Sequence, residues 1–215
     1  MKDTYLTIDS AAESQFTVQR SRFISFAWPV TSVAEIRERI SALQKEYYDA
    51  RHVCYAYMLG AERGEWRAND NGEPSGTAGR PILGQINSNN LTDILIAVVR
   101  YFGGVKLGTG GLADAYRKAA SDVIASAVVV EKFVESDVTV LFSYPRMNDV
   151  MRVVKDLSPV IVRQDYGLFQ DEDAAGRSFE CRMVLRTRLS DIEPLACRFR
   201  KITECQPVPE IVIKV

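Results

Sequence analysis

Glycine is distributed very unevenly along this chain: nine of its thirteen glycines lie between Gly72 and Gly111. All but Gly84 form two clusters around an apolar run. The first reads Asp70-Asn71-Gly72-Glu73-Pro74-Ser75-Gly76-Thr77-Ala78-Gly79-Arg80-Pro81, and the second Arg100-Tyr101-Phe102-Gly103-Gly104-Val105-Lys106-Leu107-Gly108-Thr109-Gly110-Gly111. Glycine loses the most backbone entropy on folding, so loops this rich in it answer a need for positive φ or close backbone approach. Helix-like sequence follows each cluster. That places unpaired first-turn N–H groups where an anion can sit.

A chain of 215 residues suits one large domain or two small ones, and a hydrophobic fraction of 47% is ordinary for a folded protein. The net charge of −1 supplies no global field toward nucleic acid or membrane. From Gly76 to Ser121 the balance is locally +3, with Arg80, Arg100, Lys106, Arg117 and Lys118 against Asp93 and Asp114. A solvated surface explains such a patch as well as a ligand does. Cys54, Cys181, Cys197 and Cys205 show no C-x-x-C spacing, so buried reduced thiols are expected rather than zinc ligands. Met1 to Tyr5 lacks a signal-peptide core, and the run Ile94–Val99 is too short to cross a bilayer. The expected location is the cytoplasm, with no membrane partner.

Periodicity divides the chain. Strands are predicted over 15–18, 22–30, 52–59 and 65–68, with a buried central strand over 94–102. Ser32-Val33-Ala34-Glu35 forms a capping box for a helix that buries Val33, Ile36, Ile40, Leu43 and Tyr47. Thr77 is the expected cap of a short helix through Ile86, with Pro81 near its start. A further helix after Gly111 buries Leu112, Tyr116, Ala119, Ala120, Val123, Ile124 and Ala127. Near residues 131–136 the character changes to a β-α-β-β-α-β series. Val138, Val140 and Phe142 alternate, and Met147, Val150, Met151 and Val154 form a helical stripe. Strands over 159–166 and 178–188 flank a polar loop, Gln170 to Arg177. Ser190 caps a last helix carrying Ile192, Leu195, Ala196 and Phe199, and Ile211, Ile213 and Val215 close the sheet. The expected fold is α+β: an N-terminal α/β domain over 1–134 and a ferredoxin-like βαββαβ domain over 135–215.

The first loop brings Asp70 and Glu73 beside Ser75, Gly76, Thr77, Gly79 and Arg80. Such carboxylates can hold magnesium or act as a base, or simply tie the loop through Asx-type turns. The second loop is neither a Walker motif nor a dinucleotide fingerprint. Gly108-Thr109-Gly110-Gly111 before a helix suits backbone anion binding, with Lys106 adding charge, or a tight strand-to-helix connection. Arg100 and Tyr101 emerge at the end of the buried strand, followed by Gly103 and Gly104. His52 could be a base, but it sits in an alternating strand without a nucleophile partner and reads as structural. No catalytic residue is assigned, and neither a metal nor a cofactor is expected.

The texts Asn-Gly-Glu-Pro-Ser-Gly-Thr-Ala-Gly-Arg-Pro-Ile-Leu (71–83) and Arg-Tyr-Phe-Gly-Gly-Val-Lys-Leu-Gly-Thr-Gly-Gly-Leu (100–112), with Ala115-Tyr116, resemble the IMPACT/YigZ family. Ser21-Arg22-Phe23-Ile24 and Ala50-Arg51-His52-Val53-Cys54 agree with further family patches. The resemblance implies an N-terminal fold of the ribosomal-protein and GHMP-kinase type, and a C-terminal domain like the last domain of elongation factor G. Eukaryotic relatives regulate translation under amino-acid starvation. Two positions depart from the pattern: Asn71 stands where Asp is common, and Asp114 where Lys or Arg is common. The expected function is a translation-linked regulatory protein whose glycine loops contact phosphates of RNA or of a ribosomal component. Two alternatives stand beside it: an enzyme acting on a nucleotide or phosphorylated small molecule, and a protein-interaction adaptor.

Overall fold

The computed structural model describes residues 3–170, 178–203 and 211–214. The expected polar loop across 171–177, Cys205 and Val215 lie outside them. The first part of the chain runs β1 (Thr4–Ile8), β2 (Ala12–Val18), β3 (Ser21–Pro29), α1 (Val33–Glu46), β4 (His52–Leu59), β5 (Glu65–Asn69), α2 (Gly79–Ser88), β6 (Ile94–Tyr101), α3 (Gly108–Ser126) and β7 (Val129–Phe133). Contacts gather Thr4–Lys132 into one unit; Phe133–Val215 forms another that takes in Asp3. Asp3 goes with the second unit because its carbonyl accepts the Val134 N–H at 2.8 Å.

In the first unit the apolar run becomes β6, the middle of an antiparallel sheet ordered β2-β3-β6-β4-β5. Both faces of β6 are covered, which explains its unbroken hydrophobicity. Ile94, Ile96 and Val98 pack with α2 and α3; Leu95, Ala97 and Val99 pack with α1. Helix α1 begins as expected, with the Glu35 N–H donating to Ser32 Oγ. The return arm is shifted by one residue: Glu35 accepts from the Thr31 N–H instead of Ser32.

Helix α2 departs from expectation. Thr77 does not cap it; its hydroxyl donates to the Pro74 carbonyl at 2.6 Å, and Ala78 occupies the cap position. The cap is supplied from outside the helix by Asp70. A carboxylate accepts several N–H groups at once and binds them more strongly than a hydroxyl does. Helix α3 starts earlier than expected, so Gly108, Gly110 and Gly111 belong to its first turn. β1 and β7, which pair with each other, were not legible in the sequence.

The second unit runs β8 (Glu135–Phe142), α4 (Met147–Leu157), β9 (Val160–Gln170), β10 (Ser178–Arg188), α5 (Ile192–Thr203) and β11 (Ile211–Lys214). Its sheet is antiparallel with the order β11-β8-β10-β9. Register sets Cys181, Met183 and Leu185 opposite Phe142, Val140 and Val138, and α4 and α5 cover that face. On α4 the buried stripe is Val150, Val153 and Val154, whereas Met151 is exposed. Ser190 does not serve as a simple helix cap: a 3₁₀ turn precedes α5, and the Ser190 hydroxyl donates to Asp3 at 2.7 Å.

Gly103 shows what the second cluster is for. A Cβ there would lie 2.0 Å from the Arg20 carbonyl carbon, because the loop after β6 presses against the β2–β3 turn. At Gly110 a Cβ would meet nothing within 4 Å. Gly103→Ala is therefore expected to cost about 1–3 kcal/mol of stability by overpacking. Gly110→Ala, in open space, should change stability by less than about 1 kcal/mol, in the stabilising direction. Urea unfolding of the two variants checks this; equal losses at both sites would contradict it.

Candidate functional site

Strand pairing determines which side chains meet beyond the sheet. The register sets His52, the first residue of β4, opposite Arg100 near the end of β6. Paired residues of an antiparallel ladder face the same way, here toward α2 and α3. Tyr101, the next residue, faces the other way: its hydroxyl donates to Asp49, and Arg22 lies over its ring.

Glu73 from the first loop meets this pair. Its side chain is 3% exposed, and Oε1 accepts from Arg100 Nη1 at 2.6 Å and from the Tyr116 hydroxyl at 2.9 Å. The Arg100 guanidinium also lies over the Phe23 and Phe102 rings, while its Nε is buried without a hydrogen-bond partner. Cys54 completes the buried chain, with Sγ 2.9 Å from the Asp70 carbonyl and 3.3 Å from the Tyr116 hydroxyl. Burial pushes the Cys54 thiol up to about 12, so it stays protonated and is a poor nucleophile. Burial likewise raises Tyr116, holding it as the neutral phenol that can donate to Glu73.

His52 Nδ1 sits 2.8 Å from the carbonyl oxygen of Asn71. A carbonyl only accepts, so Nδ1 carries a proton. Nε2 then faces Glu73 Oε1 at 4.0 Å. Asn71 itself is a turn residue with positive φ, and its side-chain amide donates to the Val53 carbonyl. An aspartate at this position could not make that bond.

His52, Glu73, Arg100 and Phe102 line a cavity of about 420 Å³. Of the expected ligand residues, Glu73, Arg100, Lys106, Gly108 and Thr109 reach it. Arg51, His52, Phe102 and Leu112 also line it and were not expected; the signal for His52 is its register with Arg100. The first-turn amides of α3 have no intrahelical carbonyl to bond, and among the described residues no side chain caps them.

Asp70, Ser75, Gly76, Thr77, Gly79, Arg80, Tyr101, Gly103, Gly104, Gly110 and Gly111 do not line the cavity. Asp70 accepts N–H bonds from Gly76, Ala78 and Gly79 at 2.8–3.0 Å. Burial pulls its pKa upward, but these three N–H groups and nearby Arg80 outweigh that and leave it lowered. Asp70 and Glu73 thus do not form a ligand pair: one caps α2 and the other holds Arg100. Gly79 lets the first loop approach β5, because a Cβ there would lie 2.5 Å from the Asn69 nitrogen. Arg117 and Lys118 pair with Asp114 and Asp122 along α3.

The chain is similar to several known proteins. The Impact N-terminal domain family matches residues 19–124. IMPACT family member YigZ of Escherichia coli (strain K12) is 30% identical over 71% of this chain and 76% of its own length. The chain belongs to the IMPACT family. Family member YvyE of Bacillus subtilis (strain 168) is 41% identical, the match spanning 61% of each protein. A solved structure described as a hypothetical protein shares the fold, with a TM-score of 0.74 at 22% identity over 99% of this chain and 97% of that one. The stretch that matches the family domain contains every cavity-lining residue, from Arg51 to Leu112.

Asp70 offers a direct check of the cap. A carboxylate with a lowered folded-state pKa adds stability above its unfolded pKa and loses it as pH falls through the folded value. Asp70→Asn is expected to cost about 1–2 kcal/mol at neutral pH. The deficit should shrink as the pH is taken below about 4. Thermal melts across that range measure it; a deficit independent of pH would contradict the carboxylate's role as the cap.

Proposed function

We propose that this protein is a cytoplasmic, translation-linked binding protein whose first unit takes a phosphate group of RNA or of a ribosomal component. One observation carries the reading: the uncapped first turn of α3 opens into the cavity beside Arg51, Arg100 and Lys106. Such a helix end presents N–H groups and positive potential to an anion. At α2 the same need is met internally by Asp70, so α3 is the end left for an external anion. The strand order of the second unit supports a ferredoxin-like class akin to the last domain of elongation factor G, and the family supports a ribosomal-protein and GHMP-kinase-like class for the first.

A second reading, an enzyme acting on a nucleotide or phosphorylated small molecule, is favoured by one feature. His52 has its Nδ1 proton fixed on Asn71, which leaves Nε2 toward the cavity wall beside Glu73.

RNA binding should weaken steeply with salt, and Lys106→Ala should reduce the log–log slope by about one phosphate contact. Fluorescence anisotropy with single-stranded RNA, titrated with salt, measures both. Salt-insensitive binding, or a Lys106→Ala slope equal to wild type, would count against phosphate contact in this cavity.

A further inference from the structure

We infer that the cavity takes a phosphate ester carrying a nearby hydroxyl, the ribonucleotide unit, and distinguishes it from the deoxy form; this rests on the phosphate reading above. The cavity lining carries two chemically distinct sets of groups. The first-turn amides of α3 and Lys106 are donors. The Glu73 carboxylate accepts. Both hydrogen bonds to Glu73 fall on Oε1, so Oε2 holds none among the described residues. His52 donates from Nδ1 to the Asn71 carbonyl, which leaves Nε2 as the ring atom that faces Glu73. The 4.0 Å between Nε2 and Glu73 Oε1 is too long for a direct hydrogen bond.

A carboxylate oxygen with no hydrogen bond among the described residues, beside His52 Nε2 in the cavity lining, calls for a donor. A phosphate has none to give when ionised; a ribose hydroxyl does. The buried Arg100, whose Nε lacks a partner, binds Glu73 through Oε1 and leaves Oε2 open. Phe102, 44% exposed, and Leu107 supply an apolar wall for a ring or base. Phosphate on donors, hydroxyl on the carboxylate and base on an aromatic make a three-point match. The hydroxyl is the group by which a protein tells RNA from DNA. A free ribonucleotide and an RNA strand share this chemistry.

The test uses the full chain. Calorimetry compares adenosine 5′-monophosphate, its 2′-deoxy analogue and inorganic phosphate; anisotropy compares short single-stranded RNA and DNA of one sequence. Wild type should prefer the ribo form by about tenfold, the worth of one hydrogen bond. Glu73→Gln and His52→Ala should bring that ratio to about one. A preference in the mononucleotide pair identifies a free nucleotide as sufficient; a preference only in the strands identifies RNA as the source. Equal ribo and deoxy binding by wild type, with phosphate still required, overturns the inference while the phosphate reading stands. A preference that survives in both variants overturns it too. No binding of any probe overturns both. Thermal melting monitors folding, and if Glu73→Gln does not fold, His52→Ala alone decides, since His52 lies outside the buried ion pair.

Discussion

A single carboxylate oxygen organises the first unit. Glu73 Oε1 receives Arg100 from the end of β6 and Tyr116 from α3, while its own backbone belongs to the first glycine loop. Three segments distant in sequence are pinned at one atom. Removing two charges from water costs several kcal/mol per ion, so such a pair is weak evidence for stability. Its contribution is geometric. It holds the loop against the helix and keeps a charged group where an apolar core would otherwise close. The Arg100 guanidinium carbon also lies 5.6 Å from the ring centres of both Phe23 and Phe102.

Around that atom the two glycine clusters do different work although they look alike in sequence. In the first, the loop amides are consumed internally by Asp70, and Gly79 serves close packing against β5. In the second, Gly103 serves close packing against the β2–β3 turn, whereas the glycines of the α3 first turn leave their amides uncovered. Amide-rich sequence before a helix signals a potential anion site; whether a carboxylate elsewhere in the chain already fills it decides the outcome. Here one helix has its anion built in and the other does not.

That distinction explains which parts were legible beforehand. The central strand, the α1 and α3 core faces and the alternation of β10 follow from local periodicity, and the structure agrees with them. Thr77 failed as a cap because a residue outside the helix out-competed it, which local patterns do not reveal. His52 read as structural because its partners, Glu73 and Asn71, arrive from a loop some twenty residues on, and Arg100 from a strand farther still. The motif text does not separate the residues that line the cavity from those that build its walls. Strand register separates Arg100 from Tyr101, and register is a tertiary property.

The pairing of β1 with β7 has a topological consequence. The first unit begins at Thr4 and ends at Lys132, and these two ends lie side by side, clamped further by the Thr4 hydroxyl on Glu131. A module whose entry and exit points coincide can be excised and spliced into a surface loop of another protein without stretching its host. It can equally be re-opened elsewhere, with its old ends joined by a short linker. The geometry makes this half of the chain a portable cassette.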